Sequence, residues 1–198
     1  MKMPNYCNSY VRFENLNESS KGKYILLQQR LTSEKNFSDL MNDGSISEEE
    51  IHTRSWQHDH IGPKWTTIDD IDDESMSLTS AWSAPTDGVE WLIRELSSVQ
   101  PDLITVYSYQ EEQPDFAGIY VYEGEDVYDG YEDDFDEIRW VLEQKVEGLV
   151  DMKDEDGDYT EEGWDLFHEN VWGVLEDCGS QFVDDTIQCI YDEKATKP

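Results

Sequence analysis

The chain is predicted to fold as an α+β protein. Segments in which apolar and polar residues alternate are interleaved with segments repeating at the helical period. A hydrophobic fraction of 37%, with 7 Trp, 11 Tyr and 6 Phe, supplies enough apolar surface for a core. Beyond about residue 123 only helical patterns remain and the acidic content rises. At 198 residues the chain fits one medium domain, or one domain with a sizeable helical extension.

Residues 5–13 read as a first strand, with Tyr6, Asn8 and Tyr10 on one side and Cys7, Val11 and Phe13 on the other. Residues 19–31 place Tyr24, Leu27 and Leu31 at helical spacing and predict a helix. Residues 33–50 are polar and carry the turn signal Asn42-Asp43-Gly44, so they read as a loop or a helix fragment. The aromatic and β-branched run from His52 to Thr67 predicts a strand, bent or bulged at Gly62-Pro63. Residues 75–83 predict another, with Met76, Leu78, Ser80 and Trp82 alternating with polar residues. Pro85, then Asp87 three residues before Glu90, opens a helix in capping-box fashion. Val89, Leu92, Ile93, Leu96 and Val99 give that helix, over 88–99, its apolar face. Residues 103–109 and 118–122 then read as two strands joined by a polar loop.

This order is β-α-β-β-α-β with one extra strand. Two helices on one face of an antiparallel sheet is the split-βαβ, ferredoxin-like arrangement, predicted here over residues 1–125. An acidic helical extension follows over 126–198, folded on or beside it. Its first helix runs from about Asp134 to Leu149, with Phe135, Ile138, Leu142, Val146 and Leu149 in one stripe. A second runs from about Glu161 to Asp177, with Trp164, Phe167, Val171 and Val174. Gly179 is predicted to end it and Ser180 to cap a third, bearing Val183, Ile187 and Ile190.

The chain holds 47 Asp+Glu against 14 Lys+Arg, a formal net charge of −33. Residues 119–198 hold 26 and 5 of these, residues 1–118 the remaining 21 and 9. Such a surface repels nucleic acid and anionic membranes and attracts basic proteins or cations; salt adaptation is the alternative origin of the excess. Disordered acidic tails are poor in aromatics, so the whole chain is expected to fold. Cys7, Cys178 and Cys189 are odd in number and lack Cys-x-x-Cys spacing, which argues against a disulfide scaffold, a zinc ribbon or an iron–sulfur cluster. The opening residues have no apolar signal-like run, and no stretch approaches the ~18 apolar residues of a membrane span. A cytoplasmic protein is expected.

Four segments carry a family resemblance. Met3-Pro4-Asn5-Tyr6-Cys7-Asn8 resembles the opening of the Api92-like proteins of phages and plasmids. The stretch from Trp56 through Gly62-Pro63-Lys64 to Trp65 resembles their W…GTKW segment, with Pro63 where the family usually has Thr. Thr79-Ser80-Ala81-Trp82-Ser83-Ala84-Pro85 resembles their TAWSPP segment, and Asp115-Phe116-Ala117-Gly118 their FAG strand start. Order and spacing agree over roughly residues 3–125. The resemblance implies a ferredoxin-like domain encoded on mobile elements, without a settled biochemical activity.

His58 and His60 form an H-x-H on the predicted strand, where both imidazoles would share one face, with His52 as a possible third zinc ligand. Surface histidines beside Trp56 and Trp65 are the commoner arrangement, and no metal is expected. The run Asp154-Glu155-Asp156-Gly157-Asp158 suggests a calcium loop. Setting Gly157 at position 6 puts Met152 at position 1 and Gly163 at position 12, where Asp and Glu belong, so an EF-hand is disfavoured. Trp56, Trp65 and Trp82 are either ligand-stacking surfaces or core residues packed against the helices, and core packing is the expectation. No triad order, phosphate loop, dinucleotide fingerprint or Cys-His signature is present, so neither a catalytic site nor a cofactor is expected.

The acidic extension is the more informative feature. Carboxylates at i, i+3 and i+4 on a helix lie about 5–6 Å apart at Cβ, the scale of successive phosphates along a strand. Charge runs are usually only solvated faces. Here the expected role is to present a nucleic-acid-like surface to a basic, nucleic-acid-binding host protein, as an anti-restriction or anti-CRISPR inhibitor would. The residues expected to carry it are Glu132, Asp133, Asp134, Asp136, Glu137, Asp154, Glu155, Asp156, Asp158, Glu161 and Glu162. No direct contact with nucleic acid or membrane is expected. The alternative is an accessory module that binds a protein or ligand through the sheet, its charge serving solubility alone.

Overall fold

The computed structural model of the chain describes residues 5–196, so Met3 and Pro4 of the opening segment lie outside it. The elements are β1 (Tyr6–Phe13), α1 (Glu18–Gln28), α2 (Phe37–Met41), α3 (Glu48–Ile51), α4 (Arg54–His60), β2 (Thr66–Ile71), β3 (Ser75–Ala81) and α5 (Thr86–Ser97). There follow β4 (Ile104–Glu111), β5 (Phe116–Glu123), β6 (Asp126–Asp134), α6 (Phe135–Lys145), a 3-10 turn (Val150–Met152) and α7 (Glu161–Thr196). The fold is mixed α/β and divides into two compact units. One takes in the described residues up to Gln113 together with Gly118–Tyr131; the other comprises Pro114–Ala117 and the described residues from Glu132 onward.

The six strands form one sheet in the order β2-β3-β1-β4-β5-β6. β1 pairs antiparallel with both β3 and β4, and β2 pairs antiparallel with β3. The period-2 pattern of β1 sets its faces: Cys7, Ser9, Val11 and Phe13 are buried while Tyr6, Asn8 and Tyr10 are exposed. Register places Val11 opposite Met76 on β3 and Tyr107 on β4, which carries the buried row across the sheet. Two helices cover that row. The Tyr24 ring of α1 meets Phe13 edge-on at 5.1 Å, and its hydroxyl donates to the Ser75 carbonyl at 3.0 Å. Lys23 ties α1 to α5 through Glu95 at 2.7 Å. Val89, Leu92, Ile93 and Leu96 of α5 are buried, each stabilising by about 1.5–3 kcal/mol where burial is complete. At Gly88 a Cβ would lie 2.9 Å from side-chain carbons of Ile61 and Phe37, so only glycine lets α5 approach this closely.

Several boundaries differ from the sequence expectation. His52–Thr67 is not a strand: it contains α4, and β2 begins only at Thr66. The Ser47 side chain accepts from the Glu50 N–H at 3.2 Å and the Thr53 side chain from the Trp56 N–H at 3.3 Å. These two caps start α3 and α4, and the second overrides the β-propensity of the aromatic run. α5 begins at Thr86 with Pro85 as its N-cap and no side-chain cap bond, so Asp87 and Glu90 form no capping box. Val99 falls beyond the helix and is exposed, and α1 ends at Gln28, short of Leu31.

In the second unit two α-helices and a 3-10 turn replace the three predicted helices, and the strand that leads into them, β6, belongs to the first unit as far as Tyr131. α7 runs unbroken for 36 residues, about 54 Å, through Gly179 and Ser180. Its buried residues Gly163, Phe167, Val171, Gly179, Val183, Thr186 and Ile190 recur at intervals of 3, 4 or 8 and so share one stripe. That stripe keeps phase across Gly179, and its burial outweighs the ~1 kcal/mol by which a mid-helix Gly is disfavoured relative to Ala. Ile138, Leu142, Leu149, Tyr159, Phe167 and Val171 form the unit's core. Trp164 extends it, meeting Tyr159 edge-on at 5.1 Å and stacking near Phe135 at 6.2 Å.

Candidate functional site

The acidic residues singled out from the sequence fall into three places in the second unit. Glu132 and Asp133 end β6, Asp134 is the N-cap of α6, and Asp136 and Glu137 occupy its first turn. All are exposed except Asp133, which is half-buried. Burial, then the neighbouring Glu137 and Asp134 carboxylates, raise the Asp133 carboxyl above its ordinary value.

Asp154–Asp158 is a tight turn, entirely exposed. One Asp154 carboxylate oxygen accepts the N–H groups of Asp156 at 2.9 Å and Asp158 at 3.1 Å. Gly157 sits at φ +86°, which a glycine adopts without strain. The Asp158 carboxylate accepts its neighbour's N–H at Tyr159, 2.9 Å. Asp154 and Asp158 therefore close the turn on backbone amides, where a calcium loop would aim its carboxylates at an ion. Glu161 and Glu162 are exposed in the first turn of α7, where the Thr160 hydroxyl accepts from the Gly163 N–H at 3.2 Å. Acidic residues at both helix starts are favoured by the helix dipole.

The structure extends Glu161 and Glu162 into a longer row. Because α7 is one helix, Glu161, Glu162, Asp165, Glu169, Glu176, Asp177, Asp184, Asp185, Asp192 and Glu193 all lie along a single rod, and all ten are exposed. This is nearly two carboxylates for each two turns of about 10.8 Å, against one Lys and no Arg in the helix. The phase of the buried stripe across residues 171–183 was the signal for it.

Two basic side chains of the unit are turned inward. Glu143, with a side chain 15% exposed, receives Lys153 at 2.7 Å, the Tyr159 hydroxyl at 2.8 Å and Arg139 at 3.3 Å. The Arg139 guanidinium also lies 4.4 Å from the Tyr159 ring and donates to the Gly157 carbonyl at 2.9 Å, fastening the acidic turn to α6. Burial alone pushes the Glu143 carboxyl up, but the hydrogen bonds from Lys153, Tyr159 and Arg139 together hold it below its ordinary value. These cations stabilise the unit; Arg139 also lies 3.9 Å from the exposed Asp158 carboxylate.

The shared face expected of His58 and His60 on a strand does not form. His58 and His60 lie on a helix, where residues two apart face in different directions. His58 Nδ1 contacts the Gly62 carbonyl at 2.7 Å, His60 Nδ1 the Trp56 carbonyl at 2.8 Å, and His52 Nε2 the Asp39 carboxylate at 2.7 Å. Among the described residues no group of three His, Cys, Asp or Glu side chains is arranged to hold a metal ion. Cys7 is buried, which pushes its thiol up to about 12 and keeps it protonated and unreactive. A polar pocket of about 340 Å³ beside α2 is lined by Arg30, Thr32, Asp39 and Glu48, among others. Its buried Asp39 carboxylate is already committed to Thr32 and His52.

The tryptophans divide. Trp56 is half-buried and stacks on His60 at 4.2 Å; Trp65 is half-buried and meets Tyr6 edge-on at 5.9 Å. Trp82 departs from core packing: it is 45% exposed and sits at φ +75°. A bulky residue in the left-handed region costs about 1–3 kcal/mol. No described helix is long and apolar enough to cross a membrane. No family model, curated protein or solved structure matches the chain.

Proposed function

We propose that the chain is a binding protein whose second unit presents a nucleic-acid-like acidic surface to a basic, nucleic-acid-binding protein and inhibits it by occupying its groove. The observation that carries this is the exposed row of ten carboxylates on α7, continued in the same unit by those at 132–137 and 154–158. A fixed array of this kind competes for cationic side chains without the ordering cost of a flexible tail. In the first unit, the order β2-β3-β1-β4 with α1 and α5 as crossovers supports a ferredoxin-like assignment, with β5 and β6 added at one edge. That assignment agrees with the Api92-like resemblance and with a phage or plasmid protein acting on host defence in the cytoplasm.

The test is inhibition of DNA cleavage by a panel of purified restriction endonucleases and CRISPR effector complexes. Inhibition should be relieved by excess duplex DNA and by raised salt. A target whose inhibition ignores both would sink the proposal.

A further inference from the structure

The first unit carries three aromatic side chains at adjoining strand ends, Tyr6 and Trp82 exposed and Trp65 half-buried, that the acidic surface does not explain. Tyr6 is 38% and Trp82 45% exposed, at the ends of paired strands where Tyr6 lies opposite Ala81 in register. Trp65 joins them: its ring meets Tyr6, and its carbonyl accepts the Ala81 N–H at 3.3 Å. The Trp82 N–H donates to the Asn5 carbonyl at 3.0 Å, which fixes the strained backbone that holds the indole outward. Over the Trp82 ring, 5.9 Å from its centroid, stands the Lys64 ammonium. Strain at a Trp 45% exposed, in a turn that glycine would make freely, is only partly offset by burial.

We propose that Tyr6, Trp65 and Trp82 form a platform for the arginine and lysine side chains of a basic polypeptide, with Lys64 holding the place of that cation in the free protein. The argument is charge complementarity. Aromatic faces attract cations, Trp most strongly. Residues 1–113 and 118–131 hold 24 Asp+Glu against 9 Lys+Arg, so a cation is drawn toward this unit and a phosphate repelled. A nucleotide would bring its phosphate with the base it stacks, which disfavours single-stranded nucleic acid as the occupant. The platform rests on the proposed basic partner and specifies how arginine on that partner would be gripped.

The experiment titrates a fluorescently labelled octa-arginine peptide, read by anisotropy, with the full chain and with Trp82→Gly, Lys64→Ala and an α7 variant carrying Gln or Asn at the ten acidic positions. Trp82→Gly relieves the backbone strain, so its fold is expected to survive, and thermal melting checks this. The platform predicts that Trp82→Gly weakens peptide binding about three- to tenfold with the salt dependence unchanged. It also predicts that Lys64→Ala tightens binding by removing the competing cation. Peptide affinity equal to wild type in a folded Trp82→Gly variant would overturn the platform and leave the acidic-surface reading standing. Binding that needs Trp82 but ignores salt and the α7 amides would keep the platform and remove the acidic reading. Preference for a labelled oligo-dT over the peptide, again dependent on Trp82, would overturn the proposed occupant.

Discussion

Asp134 and Glu137 cap each other's backbone: the Asp134 carboxylate accepts from the Glu137 N–H at 3.1 Å, and the Glu137 carboxylate accepts from the Asp134 N–H at 3.0 Å. Two of the carboxylates read from the sequence as partner contacts thus also start α6. Asp134→Ala should destabilise the protein by about 1 kcal/mol through loss of the cap. Asp136→Ala, one turn position away and outside the box, should cost less. Urea unfolding of both variants checks this, and equal costs would remove the capping box as the cause.

The first unit offers a paired test of its core. Leu92 is fully buried on α5, whereas Val99, once counted in the same stripe, is 42% exposed beyond the helix. Leu92→Ala should cost about 2–5 kcal/mol, since the cavity adds to the lost transfer energy. Val99→Ala should stay within about 0.5 kcal/mol, as most surface changes do. A denaturation midpoint for Val99→Ala displaced as far as that of Leu92→Ala would contradict the helix boundary.

What the sequence made legible was what its periodicity wrote directly. β1 alternates and α5 repeats i, i+3, i+4, so both were readable, as was the stripe Ile138, Leu142, Leu149 that enters the second core. Local chemistry defeated the pattern elsewhere. Thr53 starts a helix in a run whose aromatics suggest a strand; Ser47 with Glu50 three residues on, just before that run, was the available signal for a helix beginning nearby. β6 was hidden because its carboxylates and Gly130 are poor strand formers, and a sheet neighbour rather than propensity sets it in place. Gly179-Ser180 carries a stop-and-cap signature, but a buried stripe that keeps phase outvotes a local stop. The candidate site inherited that error: the 154–158 cluster, conspicuous in sequence, spends two carboxylates on its own turn, and of the longer row on α7 only Glu161 and Glu162 were read as site residues.

Glu143 and Asp133 should leave opposite marks on the pH dependence of stability. The Glu143 carboxyl is held below its ordinary value of 4.5 in the folded state. Its contribution is present above that value and lost as pH falls through the lowered one. Glu143→Gln should therefore lose stability relative to wild type at neutral pH, with the gap closing in acid. The Asp133 carboxyl is raised, so its charged form opposes folding once pH exceeds the raised value. Asp133→Asn should be more stable than wild type at neutral pH, with the gain vanishing below the ordinary carboxylate value of 3.8. Thermal melts from pH 3 to 8 follow both differences; like signs for the two variants would refute the assignment.

The acidic surface can be tested without disturbing the fold only at carboxylates that hold no backbone in place. Asp134, Glu137, Asp154 and Asp158 cap or close turns, so reversing them confounds charge with stability. Asp165, Glu169, Glu176, Asp177, Asp184 and Asp185 are exposed and lie beyond the first turn of α7. Reversing these to Lys in steps should weaken binding to an inhibited nuclease cumulatively, with no position dominant, because a distributed field has no single contact. Association should be fast at low salt and slow as salt rises, since the Debye length shrinks from about 30 Å at 0.01 M to about 8 Å at 0.15 M. The same positions changed to Asn or Gln should melt no lower than wild type, because a net charge of −33 repels itself and removing part of it relieves that repulsion. Stopped-flow association and melting curves of the two series then separate the outcomes. Amide variants that melt lower would show these carboxylates to be structural, and a bound partner indifferent to both the reversals and salt would place its contact elsewhere on the chain.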